Sequence, residues 1–372
     1  MSLGDGIRMI AGILGLFLGL TIVVLSLTWL ERKFLGRIQM RMGPMRVGPY
    51  GLLQAVADAV KLVAKEDIMP GRVDRVVYWM APLVVFIPSF MVWVTIPFAR
   101  DLVVRNLEMG LLYIIAFSVL SIVGLVTAGW SSANKYAVLG GFRAAAQLVS
   151  YEIPIILAVL GVAMLSQSMN LVKVVEDQAT VPYFLVQPLG VFLFLLAGLA
   201  EVGRTPFDIH QAESEVVGGP FVEYSGAHWA VFFLAEYINT FTIAALMVLL
   251  FLGGWLLPGL PGDVAGVGFL VFGVKTYLVV LVIFWLRGTY PRLRIDQLMS
   301  LGWKVLVPLA FVNVVTTGMY LFYGWPAWSL TLMSVAILAV TFWTIGRRMR
   351  TTPKPEYTVK LYVPTTEVPH AG

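Results

Sequence analysis

Long, uninterrupted apolar runs are the feature that most constrains the fold of this chain. A helix needs about 20 apolar residues to cross a hydrocarbon layer of about 30 Å. Runs of this kind lie at Met9–Leu30, Tyr78–Ala99, Gly110–Trp130, Gln147–Leu165, Tyr183–Ala200, Trp229–Leu257, Phe269–Leu286, Val305–Phe322 and Ser329–Ile345. Helices satisfy their own backbone hydrogen bonds in lipid, whereas a barrel would show alternating segments of about ten residues. The sequence therefore predicts an all-α polytopic membrane protein with about nine transmembrane helices.

Composition excludes a water-soluble globular protein. Of the 372 residues, 59% are hydrophobic and 13% are charged, and the mean hydropathy is +0.85. We expect one transmembrane bundle over residues 1–350 and a cytoplasmic, proline-rich tail over residues 351–372. The first run ends in Glu31, Arg32 and Lys33 instead of a small-residue cleavage site, which favours a first helix over a cleaved signal.

Basic residues predict the orientation in the membrane. The predicted cytoplasmic connections Glu31–Val77, Ser131–Ala146, Glu201–His228 and Arg287–Lys304 and the tail carry most Lys and Arg residues. The opposite side has Arg8, Arg100, Arg105 and Lys173. The positive-inside rule then places the N-terminus outside and the C-terminus in the cytoplasm. The net charge of +5 reflects this topology and does not indicate nucleic-acid binding.

Metal-ligating residues are scarce. The chain has no cysteine, so it has no thiolate for an iron–sulfur cluster or a zinc site. The three histidines, His210, His228 and His370, have no metal-site spacing. Any redox cofactor is therefore expected in a partner protein.

An amphipathic helix is predicted within the first cytoplasmic connection, at about residues 50–65. In Gly51–Lys65 the polar residues Gln54, Asp58, Lys61 and Lys65 are spaced by four, three and four positions, which places them on one helical stripe. The helix is expected at the membrane interface, with the stripe facing water or a polar cavity. An ordinary surface anchor is the simpler interpretation.

Carboxylates within apolar helices are the main indication of function. Glu152 lies at the start of the fourth predicted helix, Glu201 closes the fifth, and Glu236 lies well inside the sixth. An ionised acid at the bilayer centre costs about 2.5–3.5 kcal/mol even on the mildest insertion scale. Such acids are expected to face a partner, a hydrated cavity or each other, which favours a role in handling protons.

A second group of charges follows the fifth run. It contains Glu201, Arg204, Asp208, Glu213, Glu215 and Glu223. Acids this close would titrate as a group. Two simpler interpretations stay open: a solvated loop for Glu213, Glu215 and Glu223, and an ion pair between Glu201 and Arg204 at a helix end.

The segment Glu31–Arg46 is basic and contains tight turns. Its charge is explained by membrane anchoring, but the pairs Gly43-Pro44 and Gly48-Pro49 indicate a specific backbone path. An opening through which an amphiphile enters the protein is the functional alternative.

Two stretches resemble the signatures of the H-subunit (mitochondrial subunit 1) family of complex I. Gly51–Leu62 reads GLLQAVADAVKL and Pro206–Gly218 reads PFDIHQAESEVVG. Further similarity lies in ERKFLGRIQ at Glu31–Gln39, RVGP at Arg46–Pro49, SYEIP at Ser150–Pro154, AEVGRTPFD at Ala200–Asp208, VEYSG at Val222–Gly226 and AEYIN at Ala235–Asn239. The resemblance extends from about Leu30 to Ile345.

The resemblance implies a membrane subunit of a proton-pumping NADH:quinone oxidoreductase that forms the quinone tunnel. Quinone is then a substrate, no cofactor is bound covalently, and flavin and iron–sulfur clusters belong to partner subunits. The implied partners are the peripheral-arm subunits of the quinone site and the iron–sulfur clusters, small membrane subunits, antiporter-like subunits and membrane lipid. The implied location is the cell membrane, as a multi-pass protein of the prokaryotic plasma membrane.

The resemblance also assigns residues to roles. The proton-coupling candidates are Glu152, Glu201, Asp208, Glu213, Glu215 and Glu236. The candidates for the quinone entrance and tunnel are Glu31, Arg32, Arg37, Arg41, Asp58 and Arg204. The sequence departs from the family at two positions, since Gln211 replaces a usual Glu and Met45 a usual Asn. Gln211 cannot exchange a proton, so the path would use His210 or water there.

Three alternatives stay open at this stage. The membrane anchor of an energy-converting hydrogenase would keep the carboxylates without binding quinone, and complete signatures argue against it. An autonomous ion-coupled transporter predicts broken helices in two related halves, and no internal correspondence is found. A purely structural anchor is disfavoured by the cost of the buried acids.

Overall fold

The described part of the chain is helical. The computed structural model describes residues 3–209, 213–257 and 265–351, and over these ranges it contains no β-strand and one isolated bridge between Ala99 and Leu102. In chain order the helices are α1 (Leu3–Ile38), α2 (Gln54–Ala64), α3 (Arg75–Met91), α4 (Gly110–Ser131), α5 (Lys135–Ser166), α6 (Leu171–Asp177), α7 (Tyr183–Val186), α8 (Pro188–Val202), α9 (Glu213–Val216), α10 (Gly226–Phe251), α11 (Ala265–Thr289), α12 (Ile295–Leu301), α13 (Val307–Tyr323) and α14 (Ala327–Thr351). His210, Gln211, His370 and the tail from residue 352 lie outside the described residues.

Eight of the apolar runs form helices long and apolar enough to cross a membrane, counted over the described ranges. They are α1, α3, α4, α5, α10, α11, the continuous unit of α12 and α13, and α14. The predicted class, an all-α polytopic membrane protein, is confirmed.

The fifth run, Tyr183–Ala200, is broken into two helices. Gln187 separates the short α7 from α8, whose first residue is Pro188, because proline cannot donate the backbone hydrogen bond that would continue α7. The Gln187 side chain is fully buried and donates to Asn313 and Thr317 of α13, at 3.1 and 2.8 Å. At 15 residues, α8 alone spans about 22 Å, less than the hydrocarbon thickness of about 30 Å.

Two other helices begin well before the apolar runs that predict them. The fourth run begins at Gln147, but α5 begins at Lys135. The eighth run begins at Val305, but the helix begins at Ile295 and passes through a π-helical segment, Gly302–Leu306, into α13. The first turns of α5 contain small residues where they pack closely against α4. A Cβ added to Gly129 of α4 would lie 2.6 Å from the Ala137 carbonyl oxygen. Small residues are less hydrophobic than large apolar ones, so this part of the helix lies outside the apolar run.

α10 is the central helix of the bundle. In the most apolar 18-residue stretch of α10, 78% of the residues are buried. The corresponding share is 22% in α1 and 11% in α14. It packs against α3, α8 and α11, while α5 packs against α4, α8 and α13. Polar side chains on the N-terminal half of α10 are therefore shielded from lipid by neighbouring helices.

The predicted amphipathic helix is present as α2. It lies between α1 and α10 and contacts both. Ala55 is its fully buried residue, whereas Val56, Val60 and Val63 are exposed. Asp58 of its polar stripe faces α1 and pairs there with Arg32, whereas Lys61 and Lys65 are exposed.

Candidate functional site

Glu31 is the first buried acid of the site. Although the apolar run ends at Leu30, α1 continues to Ile38, so Glu31 lies on the helix and is 4% exposed. Its carboxylate accepts a 2.7 Å hydrogen bond from the Tyr237 hydroxyl of α10 and forms an ion pair with Arg287 near the end of α11. Three helices separated in sequence therefore converge on one carboxylate.

Arg204 connects this group to the next acid. It follows Gly203, whose left-handed conformation ends α8, and it is 5% exposed. The guanidinium carbon lies 4.5 Å from the centroid of the Tyr237 ring, and Nη1 lies 3.2 Å from Oε1 of Glu236. The ion pair of Arg204 is thus with Glu236 and not, as in the simpler interpretation, with Glu201.

Glu236 and Glu201 line the same cavity. It has a volume of about 50 Å³, and its polar lining includes Ser121 and Asn239. Glu201 is the penultimate residue of α8, as the sequence predicted, and Glu236 lies about three turns into α10. α10 thereby places Glu236 and Asn239 on the side that faces Glu201.

Glu152 lines a second cavity, also of about 50 Å³, which Glu201 lines as well. It lies in the middle of α5 instead of at a helix start, and it is 6% exposed. One carboxylate oxygen accepts a 2.9 Å hydrogen bond from Ser118 of α4, and the other has no hydrogen-bond partner among the described residues. The two cavities share Ser121, Glu201, Val202 and Asn239.

These groups form one continuous arrangement, which we name the acid series. It consists of Glu31, Tyr237, Arg204, Glu236, Glu201 and Glu152, connected in that order by contacts or by a shared cavity. The sequence predicted five of the six as site residues. Glu236, Glu201 and Glu152 were predicted for proton coupling, and Glu31 and Arg204 were predicted for the quinone entrance and tunnel. Tyr237 was missed, although it lies in the family stretch AEYIN.

The remaining predicted acids form their ion pairs with residues outside this series. Asp208 pairs with Arg292 at 3.0 Å, and Glu215 pairs with Arg143 of α5 at 2.5 Å. The Glu215 side chain is 44% exposed, which fits the solvated-loop interpretation better than a buried relay. Glu213 is the first residue of α9, and its side chain is not among those that the structure describes.

The four predicted entrance residues outside the acid series separate into two groups. Arg32 of α1 pairs with Asp58 of α2 at 2.5 Å, and Lys61 lies 3.6 Å from the same carboxylate. Partial burial acts to raise the pKa of Asp58, but the hydrogen bond and charge of Arg32 outweigh it, so the pKa lies below its ordinary value. Arg37 and Arg41 are exposed, and Arg41 donates to Gln39 at 2.7 Å instead of facing the acid series.

Lys275 is a charged residue within a transmembrane helix that sequence reasoning missed. It lies in α11, and its ammonium group donates to the carbonyl oxygens of Leu252, Gly254 and Leu256, at 2.7, 3.1 and 2.6 Å. These carbonyls follow the C-terminal end of α10, where a cation is favoured. A charge inside the run Phe269–Leu286 was the available signal, the same one that identified the glutamates.

Comparison with known proteins relates the chain to one family. A family model described as NADH dehydrogenase matches residues 11–318. The H subunit of the NADH-quinone oxidoreductase of Geobacillus kaustophilus is 51% identical over 288 residues, which cover 77% of this chain and 86% of the relative. The H subunit of Dehalococcoides mccartyi is 48% identical over 294 residues (79% and 81%), and H subunit 2 of Syntrophobacter fumaroxidans is 45% identical over 318 residues (83% and 93%). All members of the acid series fall within the matched range.

Proposed function

The chain belongs to the NADH dehydrogenase family, the H subunits of NADH-quinone oxidoreductase, and on that premise we propose that it forms the quinone passage of the complex and couples quinone reduction to proton translocation. The acid series carries this proposal. It extends from Glu31, near the C-terminal end of α1, to Glu152, in the middle of α5. Its members span from an interface to the membrane interior, as a coupling path requires.

Transmission along the series is electrostatic. Two unit charges 4 Å apart interact by about 1 kcal/mol in water and by about 4 kcal/mol at an effective dielectric constant of about 20. Reduction of quinone near Glu31 creates negative charge and draws protons. Because Arg204 contacts both the Tyr237 ring and Glu236, a change in charge at Glu31 alters the free energy of ionising Glu236, and through the shared cavity that of Glu201.

Proton movement between the acids needs water or side-chain carriers. A polar cavity holds a water molecule when it offers about 10–15 Å³ and two to four polar partners. The two cavities of about 50 Å³ meet the volume requirement, and both have carboxylate, hydroxyl and amide groups in their walls. This supports a water-assisted path from Glu236 through Glu201 to Glu152.

The quinone entrance is proposed between α1 and α2. α2 lies against α1 with the Arg32–Asp58 pair between them, and the exposed face of α2 is apolar. An amphiphile with a polar head and an apolar tail fits such a boundary. The chain would bind quinone as a substrate. Flavin and iron–sulfur clusters would be held by peripheral-arm subunits, and small membrane and antiporter-like subunits would receive the coupling.

We also propose the orientation predicted from charge. If α7 and α8 cross the membrane together, the described chain crosses nine times in all, with α1 and α14 running in the same direction. The basic residues after α1 and at the end of α14 then lie on the cytoplasmic side, with the N-terminus outside. The prokaryotic plasma membrane is the proposed location.

The test uses Glu201→Gln and Glu236→Gln in the assembled enzyme. NADH-driven quinone reduction and proton translocation are measured in membrane vesicles, and NADH oxidation by a soluble artificial acceptor reports assembly. Removal of a proton-exchanging group is expected to lower the coupled rate by about a hundredfold or more, with artificial-acceptor activity kept. Glu108→Gln is the control, because Glu108 is 78% exposed and pairs with Lys173 away from the series. Unchanged quinone reduction and proton translocation in both variants would remove these acids from the mechanism.

A further inference from the structure

The segment that leaves α2 is held against the first turn of α10. The backbone N–H of Ile68 donates to the Ser225 hydroxyl at 2.9 Å, and that hydroxyl lies 3.4 Å from the Ile68 carbonyl oxygen, to which it donates. Gly226, which follows Ser225 in the chain, has a φ of +54°, and a Cβ added there would lie 3.1 Å from the carbonyl oxygen of Lys65. The backbone of residues 65–68 therefore lies directly on the start of α10.

A short contact between an imidazole and a carboxylate reinforces this junction. Nδ1 of His228, in the first turn of α10, lies 2.8 Å from Oδ2 of Asp67. The distance is short, but Nδ1 makes no aligned hydrogen bond, so the contact stabilises through charge when the imidazole is protonated. The ring is 10% exposed and packs edge-on against Trp79, with centroids 4.2 Å apart. Trp79 thus fixes the ring next to Asp67.

The other end of α2 is held by α1. The Trp29 indole donates to the Tyr50 carbonyl at 3.3 Å, before α2 begins, and Arg32 pairs with Asp58 in its middle. α2 has 11 residues, and Ala55 is the one that it fully buries. A helix of this length is marginal in isolation, and one buried alanine contributes little packing energy. Polar contacts at its middle and next to its two ends therefore determine where α2 lies.

We propose that His228 is a positioning residue for the quinone entrance, and that it acts through Asp67 to hold α2 between α1 and α10. This rests on the proposed function, because the position of α2 affects catalysis only if quinone passes beside it. α1 carries Glu31 and α10 carries Glu236, so the helix that bridges them sets the width of the passage next to the acid series. Within the described part of the chain, neither His228 nor Asp67 contacts a member of the acid series.

The experiment compares His228→Asn, His228→Lys and Asp67→Asn in the complete purified complex. Hydrogen exchange of residues 54–64 reports how firmly α2 is held. The KM and kcat for a short-tailed, soluble quinone report the entrance, and NADH oxidation by an artificial acceptor reports assembly. Lys173→Met is the matched control, because it removes an ion pair, Lys173–Glu108 at 3.2 Å, that does not involve α2.

His228→Asn and Asp67→Asn are each expected to speed exchange in α2 and raise KM by about two- to fivefold, the range for a partly exposed ion pair, with kcat nearly unchanged. His228→Lys restores a permanent positive charge and should return both measurements toward the parent values. Unchanged exchange in α2 in both neutral variants overturns the positioning role whatever the quinone kinetics. Faster exchange with an unchanged KM means that α2 is held as proposed but that the quinone entrance lies elsewhere, which overturns the proposed entrance and with it the role of His228.

Discussion

The phenolic hydroxyl of Tyr237 donates a 2.7 Å hydrogen bond to the buried carboxylate of Glu31, across 206 positions of sequence. The same aromatic ring lies against Arg204, whose guanidinium carbon is 4.5 Å from its centroid. Tyr237 therefore connects an acid at the end of α1 to a cation beyond the end of α8. Its hydroxyl and its ring make separate contacts, which two substitutions can distinguish.

Tyr237→Phe removes the hydroxyl and keeps the ring. Loss of a donor to a buried carboxylate is expected to destabilise the protein by about 1–3 kcal/mol and to lower quinone reduction. Tyr237→Leu should cost about a further 0.5–2 kcal/mol, because the cation–π contact with Arg204 is also lost. Unfolding temperature and quinone reductase rate measure the two effects. A Phe variant equal to the parent in both would show that Glu31 does not need this donor.

Arg204→Met removes the buried cation that pairs with Glu236. Removing one member of a buried pair costs about 3–5 kcal/mol, because the remaining charge is uncompensated. The yield of assembled complex and its unfolding temperature should both fall. Adding Glu236→Gln to the variant removes the uncompensated charge and should recover part of the loss. Equal stability of the single and double variants would argue against a direct pairing of these residues.

The Arg32–Asp58 pair makes the stability with which α2 is held depend on pH, but only under acidic conditions. Its pKa lies below the ordinary value of 3.8, so the stabilisation from the Arg32–Asp58 pair is fully present above that value. It is lost as the pH falls through the lowered pKa. Hydrogen exchange in α2 should therefore differ between the parent and Asp58→Asn by a constant factor over about pH 5–8, with the difference disappearing only in stronger acid. A difference that changes with pH within the neutral range would assign the effect to another group.

Lys275→Met should destabilise the bundle without affecting the quinone site directly. The substitution removes the donor to three carbonyl oxygens that follow α10, and an unsatisfied buried acceptor costs about 1–3 kcal/mol. A lower unfolding temperature is expected, with normal turnover per assembled complex at low temperature. If turnover per complex fell while stability stayed unchanged, Lys275 would instead belong to the proton path.

Gly140→Ala tests the close packing that starts α5. A Cβ at Gly140 would overlap the backbone of Gly219, so the loop before α10 would have to move. We expect destabilisation of about 1–3 kcal/mol, as for other overpacked sites. Gly346→Ala in α14 is the control, because no heavy atom lies within 4 Å of its added Cβ. That change should be neutral or stabilising, since alanine favours the helical conformation. Unfolding temperatures compare the two.

The class of the membrane helices could be predicted because lipid imposes a simple rule on each segment separately, and eight of the nine predicted runs form spanning helices over the described residues. The ends of the helices could not. The apolar run begins at Gln147, whereas α5 begins twelve positions earlier, at Lys135. The glycine and alanine residues of its first turns pack closely against α4, but they lower the local hydropathy, so the sequence pattern did not reveal them. The break at Gln187 was also missed, since its amide nitrogen donates to Asn313 and Thr317, on a helix more than a hundred residues later.

By itself, the sequence determined that this is a membrane bundle and that Glu152, Glu201 and Glu236 are costly enough in an apolar helix to require compensation. Only the tertiary structure decided which groups stabilise a buried charge: Arg204 pairs with Glu236, Arg287 pairs with Glu31, and three backbone carbonyls accept from Lys275. The physical reason is that the cost of a buried charge depends on its own residue and the medium around it, whereas its compensation depends on which helices pack together.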